Sequence, residues 1–263
     1  FMLKILKHFK RSETLVFWYL LNPLIIFELY VNVHIEIIAV FFLMASIYFF
    51  ITQKNNFSAL FLALASACNL IYIIPLFFLL PRLNFKKIIT YLAFYFIFLA
   101  LVFFPFLADG KLLHLLFTNA TGFFETPEFY SPFYNGIHWF QSLFLTNFPE
   151  YKTGLLLFEI GTLAFIFFAF NQSVKGEITW LKNIFFGFII CLIFSAAVRP
   201  ADFILLIALS VFISYRFIFI GSLFALLTYV SYLYYPVYDN LILLIVGYAS
   251  LIALFFYEWK KGR

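Results

Sequence analysis

Apolar runs of near-membrane length recur along the whole chain, each fenced by a short polar or basic break. They fall at about 14–31, 36–52, 57–81, 88–108, 153–172, 184–198, 203–214, 217–235 and 241–258. A helix needs about 20 apolar residues to cross the hydrocarbon layer, with a range near 17–25. The runs are continuous and do not alternate with a period of two, which favours helices over a β-barrel. With 65% hydrophobic residues among 263, a soluble domain could not hide the apolar surface. The expected fold is all-α: one polytopic transmembrane helical bundle over residues 1–263.

Lys and Arg favour the cytoplasmic side, so their places orient the runs. Lys4, Lys7, Lys10 and Arg11 precede the first run. The 57–81 run has Lys54 before it and Arg82, Lys86 and Lys87 after it. A single crossing would strand one of these groups outside. Asn69 and Pro75 interrupt the run near its middle. A re-entrant hairpin of two short helices keeps both ends cytoplasmic, and irregular backbone at depth is tolerated where protein or water covers it.

The expected architecture is therefore about eight spans plus this hairpin. Both termini are cytoplasmic, and Lys111, Lys152 and Arg199 are the cations left outside. The long 109–150 connection lies on the external face and carries short interfacial helices. Several spans are short, and short helices surround a cavity or a thinned bilayer region.

Residues 1–31 have the basic front and apolar run of a signal sequence. They also hold Asn22, Pro23 and Glu28 and lack a small-residue cleavage site, so no cleaved signal is expected. Cys68 and Cys191 sit within apolar runs and read as small buried residues, with no disulfide or metal site. The net charge of +5 implies no nucleic-acid partner once the cations are assigned to topology.

The exception to this apolar monotony is Asn22 to Glu36, where Glu28, Asn32, His34 and Glu36 fall close together. An ionisable group at bilayer depth costs roughly 2.5–3.5 kcal/mol on insertion scales. Glu28 and Asn32 stand at i, i+4, as do Asn32 and Glu36. His34 can serve as general acid or base, or bind an anion when protonated. The plainer reading has these residues wetting a loop, with Asn32 and Glu36 starting the next helix.

Two further clusters share that face. Arg199-Pro200-Ala201-Asp202 sits between two short runs, where an arginine suits a phosphate; the alternatives are an Arg199–Asp202 pair at the lipid interface or an arginine snorkelling to headgroups. The 125–139 stretch mixes Glu128 with Tyr134, His138 and other aromatics. Rings stack on a sugar while carboxylates accept from its hydroxyls, and the alternative is an interfacial aromatic belt. Glu159, inside an apolar run, reads equally as a buried bonding partner or a groove residue. No phosphate-binding loop, nucleotide fingerprint, zinc spacing or serine-nucleophile elbow occurs.

Asn22-Pro23-Leu24 with Glu28, then Asn32-Val33-His34-Ile35-Glu36, resembles the "NPL…E…GN-x-H-x-E" stretch of bacterial GT-C-type membrane mannosyltransferases. Ser58 to Ala65 with Pro75 is similar to their next segment, which often has a lysine where this chain has Asn69. Glu128-Phe129-Tyr130-Ser131-Pro132-Phe133-Tyr134 is similar to their "FEFNASIYY". Val198 to Asp202 resembles their "HPWY", with Arg199, Ala201 and Asp202 in place of His, Trp and Tyr.

The resemblance covers the later part of that family, whose usual catalytic acid would lie upstream of Phe1. It implies sugar transfer from a polyprenyl-phosphate donor to a lipid or glycan acceptor, on the external face and without a nucleotide sugar. A bacterial inner membrane and a site with no cofactor and no metal are expected. Glu28, His34 and Glu36 would then be catalytic. Asn32, Glu128, Tyr134, His138, Arg199 and Asp202 would bind substrate. The competing expectation is a non-enzymatic carrier of lipid-linked glycan, or an assembly subunit. Broken helices also occur in transporters, but no paired inverted repeat is visible here.

Overall fold

The computed structural model describes residues 1–107, 131–144, 150–173, 176, 178–213, 215–233 and 241–261. Every regular element among them is helical. The helices run up and down between two chemically different ends, one holding most of the described Lys and Arg and the other the buried Glu28 and Glu36.

Helix α1 (Met2–His8) buries Ile5 and Leu6 at the basic end. The chain then rises through a 3-10 turn and α2 (Val16–Leu20), and through α3 (Pro23–Tyr30). The 14–31 run, expected as one helix, is broken at Leu21–Asn22. Pro23 has no N–H to continue the ladder. Instead Asn22 Oδ1 accepts from Leu24 N at 2.9 Å, with Pro23 opening the new helix.

Helix α4 (Glu36–Ile51) descends, starting where the sequence places it. Helix α5 (Asn55–Cys68) climbs back along it, and Ser46 Oγ donates to Ser58 O at 2.9 Å. The run then breaks at Asn69, as expected. It returns through a 3-10 turn at Leu70–Ile73, the short α6 (Leu76–Leu79) and a second 3-10 turn at Leu80–Arg82. Asn69 meets Glu36 at the top of α4, whereas Arg82 shares a cavity with Gln53 at its foot. The 55–82 segment is therefore a hairpin, and its turn reaches the full height of α4.

Helix α7 (Phe85–Leu107) rises on the outside of α5, with Tyr91 OH 2.9 Å from Ser58 Oγ. Helix α8 (Pro132–Phe144) lies in the connection expected to hold short helices. Helix α9 (Glu150–Asn171) descends, α10 (Thr179–Ile193) rises and α11 (Phe203–Ser210) descends. Helix α12 (Phe217–Leu227) and a 3-10 segment (Thr228–Leu233) rise, and α13 (Leu241–Lys261) descends. Glu258 near the foot of α13 accepts from Arg216 N at 2.8 Å, so α13 ends beside the start of α12.

All eight residues of α11 are buried. A helix apolar all round belongs in a core, and at about 1.5 Å per residue it is roughly 12 Å long. The run read from sequence as a short span is thus the central pillar of the bundle. The periphery is the reverse: only 11% of the apolar stretch of α7 is buried, and Phe96, Ile97, Leu101 and Phe104 are exposed. Helices 85–106 and 152–171 are each long and apolar enough to cross a membrane.

The ends differ in charge. Lys4 lies over the Tyr48 ring, Arg82 over Trp180, Lys182 over Tyr215 and Arg216 over Trp18, all toward the foot of the bundle. Of the described Lys and Arg, only Lys152 and Arg199 belong to the other end. Both the first helix and the close of the last one lie at the basic end.

A candidate site of carboxylates, asparagines and tyrosines

The upper end gathers side chains from five parts of the chain around two buried glutamates. Glu28 on α3 is fully buried and Glu36 at the head of α4 nearly so. Each accepts from one asparagine and one tyrosine. Asn32 Nδ2 donates to Glu28 Oε2 at 3.1 Å, and the Tyr229 hydroxyl donates to Glu28 Oε1. Asn32 Nδ2 also donates to the Tyr229 hydroxyl at 2.8 Å, closing the ring. At Glu36, Asn69 Nδ2 donates to Oε1 at 2.6 Å and the Tyr72 hydroxyl to Oε2 at 3.2 Å. Buried charge survives where hydrogen bonds replace water.

The asparagines follow one pattern. Asn69 Oδ1 accepts from Ile71 N at 3.1 Å, holding the turn after α5, while its amide reaches across to Glu36. Asn22 does the same with Leu24 N and, across the bundle, Ser222 Oγ at 2.9 Å. Each broken helix is thus stitched to a neighbour by the residue that breaks it.

Arg199 and Asp202 join the Glu36 side. Asp202 Oδ2 accepts from Arg199 N at 2.8 Å, and Arg199 Nη2 lies 3.6 Å from Asp202 Oδ1 and 3.8 Å from Glu36 Oε1. The expected Arg199–Asp202 pair exists and includes a third member. Burial pushes the Asp202 carboxyl up to about 6, even with Arg199 pulling it down. A gap of about 10 Å³ separates Glu36, Tyr72 and Asp202 from Phe188, Leu192 and Leu205. That is about the space of one water.

His34 sits between the two glutamates. Val33 holds a left-handed turn at φ 50°, which brings His34 N within 3.0 Å of Glu28 O. His34 Nδ1 faces Glu36 N at 3.5 Å, a long contact, and the ring is only partly buried. Among the catalytic candidates His34 is therefore the one that solvent can reach. Glu28 and Glu36 are enclosed by donors that orient them.

The remaining candidates divide. Tyr134 is buried where α8 packs on Leu157 and Ala196, and Ser131 Oγ donates to Ala196 O at 2.6 Å, so this helix braces the loop leading to Arg199. His138 lies on the same helix. Glu128 lies outside the described residues. Glu159 is exposed on the outer side of α9, which removes the buried-partner reading. Cys68 and Cys191 are free thiols, both partly buried.

Sequence reasoning missed Tyr229 and Tyr72, and it took Asn69 only as a helix breaker. The available signal was a hydroxyl or amide inside an apolar run next to a known break. Comparison with protein-family models, with curated proteins and with solved structures gives no match.

Proposed function

We propose that this chain belongs to a membrane-embedded glycosyltransferase that moves a sugar, mannose by the resemblance above, from a polyprenyl-phosphate carrier to a lipid or glycan acceptor. The observation that carries the proposal is the segregation of charge. Two buried carboxylates, a reachable histidine and an arginine occupy the end opposite the basic one, in a bundle whose outer helices present Phe, Leu and Ile. Exposed apolar helices are at home in lipid. A basic end fits the cytoplasmic side of a bacterial inner membrane, with both ends of the chain there and about eight crossings plus the 55–82 hairpin. The polar cluster then faces outward.

In this reading the acceptor hydroxyl attacks the anomeric carbon, the bond from that carbon to the phosphate oxygen breaks, and polyprenyl phosphate departs with the bonding electrons. His34 takes the hydroxyl proton. Glu28 and Glu36 set the loop that carries His34, and Arg199 faces the leaving phosphate. The carrier alternative draws on one observation, the helices broken at Asn22 and Asn69.

The test supplies radiolabelled polyprenyl-phosphate mannose to membranes containing the protein and follows label into lipid or glycan. His34→Ala should lower transfer about a hundredfold or more, at equal expression. Transfer that persists in His34→Ala removes that residue from the chemistry. No transfer by wild type from any polyprenyl-phosphate sugar rejects the transferase in favour of the carrier.

A further inference from the structure

A small gap at the upper end joins two carboxylates from different parts of the chain. Glu36 heads α4, and Asp202 closes the 3-10 turn Pro200–Asp202 that leads into α11. With Tyr72 they line a space of about 10 Å³, which Phe188 and Leu192 of α10 and Leu205 of α11 close with apolar side chains. The space fits one water, and a buried water needs roughly two to four polar partners. Glu36, Tyr72 and Asp202 supply them.

The two carboxylates are not equally satisfied. Glu36 accepts from Asn69 Nδ2 at 2.6 Å and from the Tyr72 hydroxyl at 3.2 Å, one donor to each oxygen. Asp202 Oδ2 accepts from Arg199 N at 2.8 Å, whereas Oδ1 has Arg199 Nη2 at 3.6 Å, too long for a hydrogen bond. The same Nη2 lies 3.8 Å from Glu36 Oε1. Donors to a carboxylate favour its charged form, and a second carboxylate nearby disfavours it. Asp202 is therefore the better of the two at taking a proton. Burial pushes its carboxyl up to about 6, with Arg199 opposing the rise and the Glu36 charge adding to it.

The turn that carries Asp202 packs on α3, α11 and α12. Helices α11 and α12 bring no ionisable group to it. Among the described residues, the other ionisable groups around the gap are Glu28 of α3 with its partner Tyr229, Tyr19 on α2, Cys68 beside Asn69, and His34 two positions before Glu36.

We propose that Glu36, Tyr72 and Asp202 enclose one water and that the two carboxylates hold a single proton between them, which sets how firmly Arg199 is held. The proton comes from solvent past Arg199, whose side chain is 39% exposed. It adds to Asp202 Oδ1, and the new O–H donates to the water. The water donates in turn to Glu36 and to the Tyr72 oxygen, so every group in the gap is satisfied. Asp202 is then neutral, and Arg199 faces one charged carboxylate here in place of two. Acid loosens the arginine, and loss of the proton clamps it. The proton site is independent of the transferase reading.

The test is infrared difference spectroscopy on the purified protein in nanodiscs. Spectra are taken between about pH 7 and about pH 5, above the range where exposed carboxyls titrate. A protonated carboxyl has a carbonyl stretch that a carboxylate lacks. In wild type this band should grow in as pH falls, with a midpoint near 6. Asp202→Asn should abolish it. Glu36→Gln removes the neighbouring charge and should lower the midpoint by about one pH unit or more, the mark of coupled groups. Tyr72→Phe deletes a donor to Glu36 and should raise it. Thermal unfolding of each variant checks that it is folded, and Tyr72→Phe, which keeps the ring, decides the coupling should Glu36→Gln fail to fold. A midpoint that stays put in both Glu36→Gln and Tyr72→Phe would mean that Asp202 titrates alone and would overturn the shared proton. So would a band that survives in Asp202→Asn, or no band in wild type.

Discussion

Replacing Tyr229 with Phe deletes one oxygen and keeps the ring that packs on Phe27 at 4.9 Å between centres. That oxygen donates to Glu28 and accepts from Asn32. The two bonds differ in worth. A hydrogen bond to a charged group contributes about 1.5–3 kcal/mol, and Glu28 is fully buried, so water does not restore it. Asn32 is exposed and keeps its own bond to Glu28 Oε2, so its share is about 0.5 kcal/mol or less. The expected loss on Tyr229→Phe is about 2–3 kcal/mol, with Asn32→Ala costing clearly less. Reversible unfolding in mixed micelles would measure it, with Glu28→Gln and the double variant completing a cycle. Groups sharing a hydrogen bond couple by about 0.5–3 kcal/mol, and here a coupling above about 1 kcal/mol is expected because each single change removes or weakens the same Tyr229–Glu28 bond. A loss under about 0.5 kcal/mol, or simple additivity, would refute the claim that Tyr229 holds Glu28.

Three other perturbations test separate parts of the fold. Val33→Gly should stabilise by about 1 kcal/mol, since a β-branched residue is strained at φ 50° and its side chain is 77% exposed, and a lower unfolding midpoint would contradict this. Gly161→Ala should destabilise by about 1–3 kcal/mol, because its methyl would sit 2.6 Å from Phe194 Cβ, and unchanged stability would show that α9 and the end of α10 part freely. The Asp202 carboxyl is raised from 3.8 to about 6 in the folded chain, so the unfolded chain ionises first as pH rises. Stability on this account is full below about pH 4, falls by up to about 3 kcal/mol as pH rises through 6, and is flat beyond. Subtracting the profile of Asp202→Asn from that of wild type isolates the term, and a difference that rises with pH would reverse the assignment.

What the sequence made legible was whatever depends on neighbours in the chain. Glu36 begins α4 because the apolar run starts there, and Asn69 breaks α5 because an asparagine amid apolar residues has a side-chain acceptor to offer the next turn. The placement of Lys and Arg forecast a common end for Lys54 and Arg82, and a cavity lined by both Arg82 and Gln53, the residue before Lys54, agrees with it. The break at Asn22–Pro23 was equally local, yet the length of the apolar run masked it. Partners distant in sequence were not legible. Tyr229 reaches Glu28 from 201 positions away, and its tyrosine is one of 17 with nothing local to mark it. Nor does composition distinguish α11 from an outer span, since a core pillar and a lipid-facing helix are both apolar throughout.

The two glutamates are alike in a way that bears on what this end of the molecule does. Each is held by neutral donors, an amide and a phenol, and only Glu36 also has a cation near it, at 3.8 Å. A pair of tight salt bridges would lock the charges to each other and hide them. Neutral donors satisfy the carboxylate oxygens and leave the net charge in place. Three carboxylates against Arg199 therefore set a negative field at this end, where His34 is the catalytic candidate that solvent reaches. The same field repels a phosphate unless Arg199 turns toward it, away from contacts of 3.6 and 3.8 Å that are already long. Arrival of an anionic donor would thus be tied to release of Arg199 from Glu36, and the tyrosine and asparagine bonds would keep Glu36 satisfied while that happens.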